Sequence, residues 1–536
     1  MSVSCARKNP DKEEALQKAA CKELTGTPWV PILSKQESNP AHRDQTFQFV
    51  TENQHFSAPV VGASQGFSES ETVTVEFEMQ EPMGAGGGLS LTAHVSDFGA
   101  DRVHPVLISL WDGAHEWVGM DSIEDADRAD AVNANDCHSS GILKILDDGS
   151  VVSHSGCVPV SKKGSAFFNE SQWFKKQFSN FGSVSFNQFP NCDWALSNSA
   201  SSTFSCTFND RLFQSDHELR SGPGVRYRAT YLVVNTALAQ VPSTSRVGLD
   251  VSIQKKISEA FPSQGRLDLN IILVGQGNIG ASRTDNGKQV LQTLLSMITE
   301  TLNQAHVKIA LGSVQAFEWH CGNGGDAFAQ LAVEDLGALF ETGSRLLPSS
   351  SGQHGEHPAV NVFLMDSISN GGSPNVTIRG FSGAIGGPTL SSTRSSGVAF
   401  ATAGILTVPV SSAPSRELQH FSIGLTHEIG HFLGLSHLSE RGGKVHDPIP
   451  DTPECHVTEK IQQMTLITDH SCKQDQTALL TTGKSCADLC NGKKKCPEIE
   501  ECAFNHVMWW AETEAESGHL FSPLSGRLLR YSPFVY

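Results

Sequence analysis

Thr426-His-Glu-Ile-Gly-His-Phe-Leu-Gly-Leu-Ser-His437 is the stretch on which the reading of this chain turns. His427 and His431 are four residues apart, so on a helix they share one face, one turn above the other. Two imidazoles so placed can bind one metal ion. Glu428 follows the first of them, where a carboxylate reaches a metal-held water. Gly434 lets the chain leave the helix, because glycine accepts the left-handed conformation that ends helices. The turn returns His437 as a third ligand. Three nitrogen ligands with an open fourth position suit a catalytic zinc site, not a closed structural one. The competing reading is a buried amphipathic helix with incidental histidines.

Working outward, Glu417 to Leu433 reads as the helix that carries these residues, with Leu418, Phe421, Leu425, Ile429 and Phe432 as its apolar positions. His420 lies seven residues before His427 on the same face, as a surface histidine or as outer support for the site. Zinc on neutral imidazoles lowers the pKa of its water to about 7. Glu428 then serves as general base and afterwards as general acid toward the leaving amine. No serine or cysteine nucleophile is required, and the chain has no G-x-S-x-G motif.

The string H-E-x-x-H-x-x-G-x-x-H is the signature of the metzincin zinc peptidases, and residues from about 266 to the C-terminus resemble their catalytic domain. That resemblance implies two helices on a twisted mixed sheet, then the zinc helix, then an irregular lower half with a methionine turn. Within the metzincins the chain is most similar to the pappalysin-type group. His446-Asp-Pro-Ile-Pro-Asp-Thr-Pro453 is similar to that group's G-D-x-x-x-D-T-P stretch, which implies Asp447, Asp451 and Thr452 as calcium ligands, with Glu440 nearby. A plain Asp-Pro turn is the alternative. Asn505-His-Val-Met508 resembles the methionine turn, and Phe521-Ser-Pro-Leu-Ser-Gly-Arg527 the group's closing motif; Met464 is the competing methionine. The family often has tyrosine two residues after this methionine. Here Trp510 stands there, and indole can only donate a hydrogen bond.

At 536 residues the chain is long enough for two or three domains. No apolar run approaches the roughly 20 residues of a membrane span. A net charge of −18 argues against nucleic acid and anionic membrane surfaces. There are 13 cysteines, six of them from Cys455 onward. Such density favours disulfides in an oxidising compartment, so a secreted or surface protein. Cys486, Cys490, Cys496 and Cys502 as a second zinc site is the other reading. The start, Met1-Ser-Val-Ser-Cys5, has no apolar signal segment and reads as a mature form with an added methionine. Cys5 is a candidate lipid-attachment residue of a bacterial lipoprotein, or an ordinary free or bridged cysteine.

Residues 1–70 read as a short helix, Asp11 to Glu23, followed by a polar tether. Residues 71–255 alternate with period two over Thr72–Met79, Val106–Trp111, Ile142–Leu146, Val225–Val234 and Arg246–Ile253, and read as an all-β, sandwich-like domain. Trp111, Trp117, Trp173 and Trp194 line a glycan-binding face or belong to its core. Residues 256–536 form the α+β unit. Its strands are Leu267–Val274, Val307–Val314 and Ala359–Met365; its first helices are Asn286–Gln304 and Ala327–Thr342, the latter stopping at Gly343. The glycine-rich passage from Gly380 to Ala401 reads as an edge of the cleft, where a peptide adds to the sheet.

The sequence therefore describes a multidomain, secreted or surface-anchored zinc endopeptidase with protein or peptide substrates. The alternative from another class is a surface binding or adhesion protein, glycan-recognising or protein-binding through its β domain, with a latent or inactive metzincin scaffold. In a latent form residues 1–255 act as a prodomain, and a cysteine such as Cys21 supplies a fourth zinc ligand. The intact Glu428 argues against an inactive scaffold, since metal binding alone needs no carboxylate there.

Overall fold

The computed structural model describes residues 48–62, 69–80, 87–95, 103–114, 116–118, 143–145, 151–153, 203–208, 220–235, 245–258, 263–319, 328–347, 358–370, 373–390, 392–408, 416–435, 437, 439–440, 445–446, 506–508 and 520–536. The N-terminal part is built of strands: β1 (Gln48–Gly62), β2 (Thr72–Glu78), β3 (Gly88–Val95), β4 (Val103–Trp111), β5 (Glu116–Val118), β6 (Leu143–Ile145), β7 (Val151–Ser153), β8 (Thr203–Phe208), β9 (Arg226–Asn235) and β10 (Arg246–Ile257). β6 and β7 form a separate antiparallel pair. The others join in the order β5-β4-β9-β1-β10-β3-β8, with β2 also on β9.

β1 corrects the tether expected over residues 30–70. It lies in the middle of this sheet, antiparallel to β10 from Gln48 to Pro59, then parallel to β9 from Val60 to Gly62. Pro59, which has no N–H to donate, stands where the partner changes. The strand thus joins two ladders, β1-β10-β3-β8 and β2-β9-β4-β5, much as sandwich corners are made by strands that switch sheets. The two ladders share one apolar cluster, with Leu89, Leu91, Leu249, Val251 and Ile253 from the first and Val75, Phe77, Leu107, Tyr227 and Tyr231 from the second. Alternation puts Ser90, Thr92, Ser205, Ser252, Gln254 and Lys256 on the other face of the first ladder, and all six are also buried. Trp111 is exposed and carries Arg228 over its ring at 5.4 Å.

The second part begins with β11 (Gly265–Val274), followed by α1 (Gln276–Arg283), α2 (Asp285–Leu302), β12 (Ile309–Trp319), β13 (Gln330–Ala332), α3 (Leu336–Leu346), β14 (Val360–Met365), β15 (Ser367–Asn370), β16 (Ser373–Ile378), β17 (Gly380–Ser382) and β18 (Val398–Ala401). α4 (Arg416–Phe432), the pair β19 (Ser439–Glu440) and β20 (Val445–His446), and α5 (Pro523–Tyr531) complete it. The main sheet runs β12-β11-β14-β18-β17. Its first four strands are parallel, and β17 is the antiparallel edge.

Both faces of this sheet are covered, which is why β11 reads as a nearly continuous apolar run. Leu269, Ile271 and Leu273 face a core shared with α2 and α4. Ile272 and Val274 face a second core with Phe340 of α3, Phe363 and Met365. The helix expected over Ala327–Thr342 starts only at Leu336, after the short strand β13. It also passes through Gly343 instead of stopping there. A Cβ on Gly343 would lie 2.3 Å from the Phe363 ring and 2.8 Å from Trp319, so this glycine allows close packing and does not end the helix. Among the described residues no helix is long and apolar enough to cross a membrane.

Candidate metal centre

α4 forms because its apolar side chains recur at helical spacing, and Leu418, Phe421, Leu425, Ile429 and Phe432 are all buried. Phe421 packs edge-on against Phe400 of β18, ring centroids 4.7 Å apart, which ties the helix to the sheet. The helix ends in a Schellman turn: the Leu435 N–H donates to Gly430 O at 2.9 Å and the Gly434 N–H to His431 O at 2.8 Å. Gly434 takes the left-handed conformation this needs, with φ 112°. The chain then doubles back and presents His437 to the histidines of the helix.

Two backbone carbonyls decide what those histidines can do. His427 Nδ1 lies 2.7 Å from Val507 O, and His431 Nδ1 lies 2.6 Å from Leu435 O. A ring nitrogen facing a carbonyl must carry the proton, so in the neutral rings each Nε2 keeps its lone pair. Those two nitrogens point at His437 Nε2, at 3.1 and 3.0 Å. Burial, aided by His437, pushes the His427 pKa down to about 3 and moves His431 well below its ordinary value. Lone pairs that converge in this way need a proton on His437 Nε2 or a cation between the rings to hold them together. Four-coordinate zinc, with zinc–nitrogen distances of about 2.0–2.1 Å, needs nitrogens roughly 3.3 Å apart. The three histidines therefore fit a metal ion with little rearrangement, and they form the one His/Cys/Asp/Glu cluster of metal-binding geometry among the described residues.

Glu428 stands beside this group. Its Cγ lies 2.6 Å from where a Cβ on Gly380 would be, so only glycine lets β17 pass so close. Burial pushes its carboxyl pKa up to about 7, against the pull of His437 and of a backbone hydrogen bond from Ser382. Beneath α4, Met508 is buried, and its sulfur sits 2.6 Å from the place of a Cβ on Gly430. The Met508 turn is fixed at both sides. The Val507 N–H donates to Leu520 O at 2.9 Å, and the His506 ring stands 3.1 Å from the amides of both Met508 and Ser522. Ser522 caps α5, accepting from the Ser525 N–H.

The structure thus brings His427, Glu428, His431, His437 and Met508 into one place. Asp447, Asp451 and Thr452, expected to hold calcium, lie outside the described residues, as do Cys5, Cys21 and Trp510. His506 and Val507, read from the sequence only as part of the methionine turn, and Gly380, read only as the start of the cleft edge, are direct neighbours of the site. His506 could have been suspected from its place two residues before the methionine; Val507 acts through its carbonyl, which no side-chain pattern reveals.

Residues 356–482 match the peptidase M43 family model, described as pregnancy-associated plasma protein-A. The chain resembles a pappalysin-type metallopeptidase. The matched stretch contains α4, Glu428 and all three histidines. Likeness to this family suggests a metallopeptidase, and such a protein would hold zinc at a site such as this one. A crystal structure of metalloproteinase-II from Bacteroides fragilis is similar at 14% identity and a TM-score of 0.19, covering 39% of this chain. The chain spans 58% of that structure's length. No curated protein sequence matches it.

Proposed function

We propose that this chain is a zinc-dependent endopeptidase of the metzincin type, with residues 256–536 as the catalytic unit and residues 71–255 as an accompanying β domain. The observation that carries the reading is the pair of carbonyl-locked histidines whose free Nε2 atoms meet at His437. His427, His431 and His437 would hold the ion. When bound, zinc supplies Lewis acidity, which makes a water acidic near neutral pH and polarises a peptide carbonyl.

The remaining work falls to the chain's own groups. Glu428 takes the proton of the attacking water and returns it to the leaving amine. Burial raises this carboxyl and a bound cation would draw it down, so that it can both take and return a proton. Among the described residues β17 pairs only with β18, at the edge of the sheet, and it runs directly past Glu428. An extended peptide can add to that edge through main-chain hydrogen bonds, placing a carbonyl before the carboxylate. Met508 serves as the packing platform under α4, not as a ligand, since its thioether is a weak donor. Cysteine density supports a secreted or surface location.

The reading is tested by hydrolysis of an unstructured protein substrate. Cleavage stopped by a chelator and restored by zinc, with new internal termini in the products, is the expected result. Cleavage that survives exhaustive chelation contradicts it.

A further inference from the structure

Two strands of the N-terminal sheet hold the segments that pack on the C-terminal end of α4. In β8 the buried Ser205 hydroxyl donates to Gly387 O at 3.3 Å, and it lies 3.4 Å from the Thr92 hydroxyl of β3. The Gly387 N–H in turn donates to Phe432 O at 2.6 Å, and the Gly386 N–H to His431 O at 3.0 Å. In β10, Lys256 is 2% exposed and directs its amine at three carbonyls, Arg530 O at 2.9 Å, Ser532 O at 3.2 Å and Val535 O. An ammonium has three protons to give, and here three acceptors face it.

The two attachments meet at one side chain. The Phe432 ring packs edge-on against Phe534, centroids 5.0 Å apart, beside the carbonyls that Lys256 holds. Another part of the same ring lies 2.3 Å from where a Cβ on Gly387 would be. Phe432 directly follows His431 and begins the turn to His437. It is therefore gripped between two segments, each tied to the N-terminal sheet.

We propose that the N-terminal β-sheet is a permanent positioning element of the metal centre: through Ser205 and Lys256 it fixes the end of α4, and with it the direction of His431 and the turn to His437. The proposal rests on the zinc reading for its consequence and on the contacts alone for its permanence. It departs from a removable prodomain. Stripping the sheet away would leave Gly387 O without the Ser205 hydroxyl and three carbonyls, of Arg530, Ser532 and Val535, without the Lys256 amine.

Two measurements on the full chain test it. In the first, zinc affinity is read by competition with a chromophoric chelator, together with the absorption spectrum of bound Co²⁺, well below the unfolding temperature. Ser205→Ala should weaken zinc binding about tenfold and alter the cobalt bands, with Ser205→Thr restoring both, as expected for a group that orients ligands. Asn53→Ala, at an exposed position of β1, is the control and should change neither. Affinity and cobalt spectrum that stay unchanged in both Ser205→Ala and Lys256→Met, while the unfolding temperature falls, would reduce the contact to plain stability and overturn the proposal. In the second, a site-specific protease sequence is placed between the exposed Ser263 and Gln264 and cut. The two pieces should co-elute in native buffer and part only in denaturant. Pieces that separate spontaneously refute permanence, whatever the zinc result. An intact chain that takes up no zinc refutes the zinc reading and the positioning role, while the cut chain still decides permanence.

Discussion

The two sheets bury their faces by different chemistry. The five-stranded sheet is fully apolar under α2 and α4, with Ile271 and Leu273 there, and mainly apolar on the α3 side, where Ile272, Phe363 and Phe340 pack beside the buried pair Asn270 and Asn361. The N-terminal sheet is apolar on one side only; its other buried face carries Ser90, Thr92, Ser205, Ser252, Gln254 and Lys256. An apolar face is held by area and tolerates no hole. A polar face is held by a few directed bonds and gives register. We infer from the difference that the first sheet makes the half carrying α4 stand, while on the proposal above the second sets the end of α4.

That contrast can be broken most forcefully on the dry side. Phe363 is fully buried, with its ring 5.7 Å from Phe340 and 6.3 Å from Trp319. Phe363→Ala should cost about 3–5 kcal/mol, read by urea unfolding, with zinc affinity at low temperature nearly unchanged. A large loss of affinity with little loss of stability would reverse the assignment of roles to the two faces.

On the polar side the effect is smaller and depends on pH. Lys256→Met should cost about 2 kcal/mol at neutral pH, because three carbonyls lose their donor. Burial holds the Lys256 pKa down at about 7 in the fold, against about 10.4 in an unfolded chain. Between those values the unfolded chain binds more protons, so stability rises with pH; below pH 7 both states are protonated and the burial cost is fully present. The three carbonyls oppose this shift. Unfolding midpoints of the intact chain should therefore climb between pH 7 and 9 by at most about 2 kcal/mol, and Lys256→Met should flatten the climb. A midpoint that falls over this range in the intact chain, or climbs equally in the variant, contradicts it.

The smallest effect expected is at the floor of the site. Gly430→Ala drives a methyl against the Met508 sulfur. It should cost about 1–2 kcal/mol and weaken zinc binding several-fold, whereas Gly424→Ala, which meets the Phe400 ring of the sheet, should cost stability alone. Equal loss of zinc from both variants would show that helix seating in general, not the methionine turn, sets the metal centre.

Much of the site could be read from the chain, because its logic is local. An i,i+4 pair of histidines, a carboxylate beside it and a glycine that must take positive φ are all properties of neighbouring residues. What locks the tautomers is not local: Val507 O is 80 positions from His427, and a backbone carbonyl leaves no mark in composition. The fold divided the same way. β11 was legible as an apolar run. β1 was not, because Glu52 and Gln54 stand half-buried where alternation calls for apolar residues, next to Lys255, which donates to Glu52. α1 leaves no helical signature in the chain, since Gly277 and Gly280 lie inside it and disfavour a helix. The helix starts there because Asn278 Nδ2 donates to Val274 O and to the Asp366 carboxylate, a partner 88 residues away. Gly343 misled because helix stops and close packing both use glycine.

The most direct test of the central claim compares the intact chain with Glu428→Gln, measuring bound zinc and peptide-bond hydrolysis on the same samples. The account predicts one zinc per chain in both proteins and a loss of hydrolysis of at least about 100-fold in the variant, the usual scale of a lost general base. Hydrolysis that persists in Glu428→Gln at full zinc content, or an intact chain that holds no zinc, would contradict it.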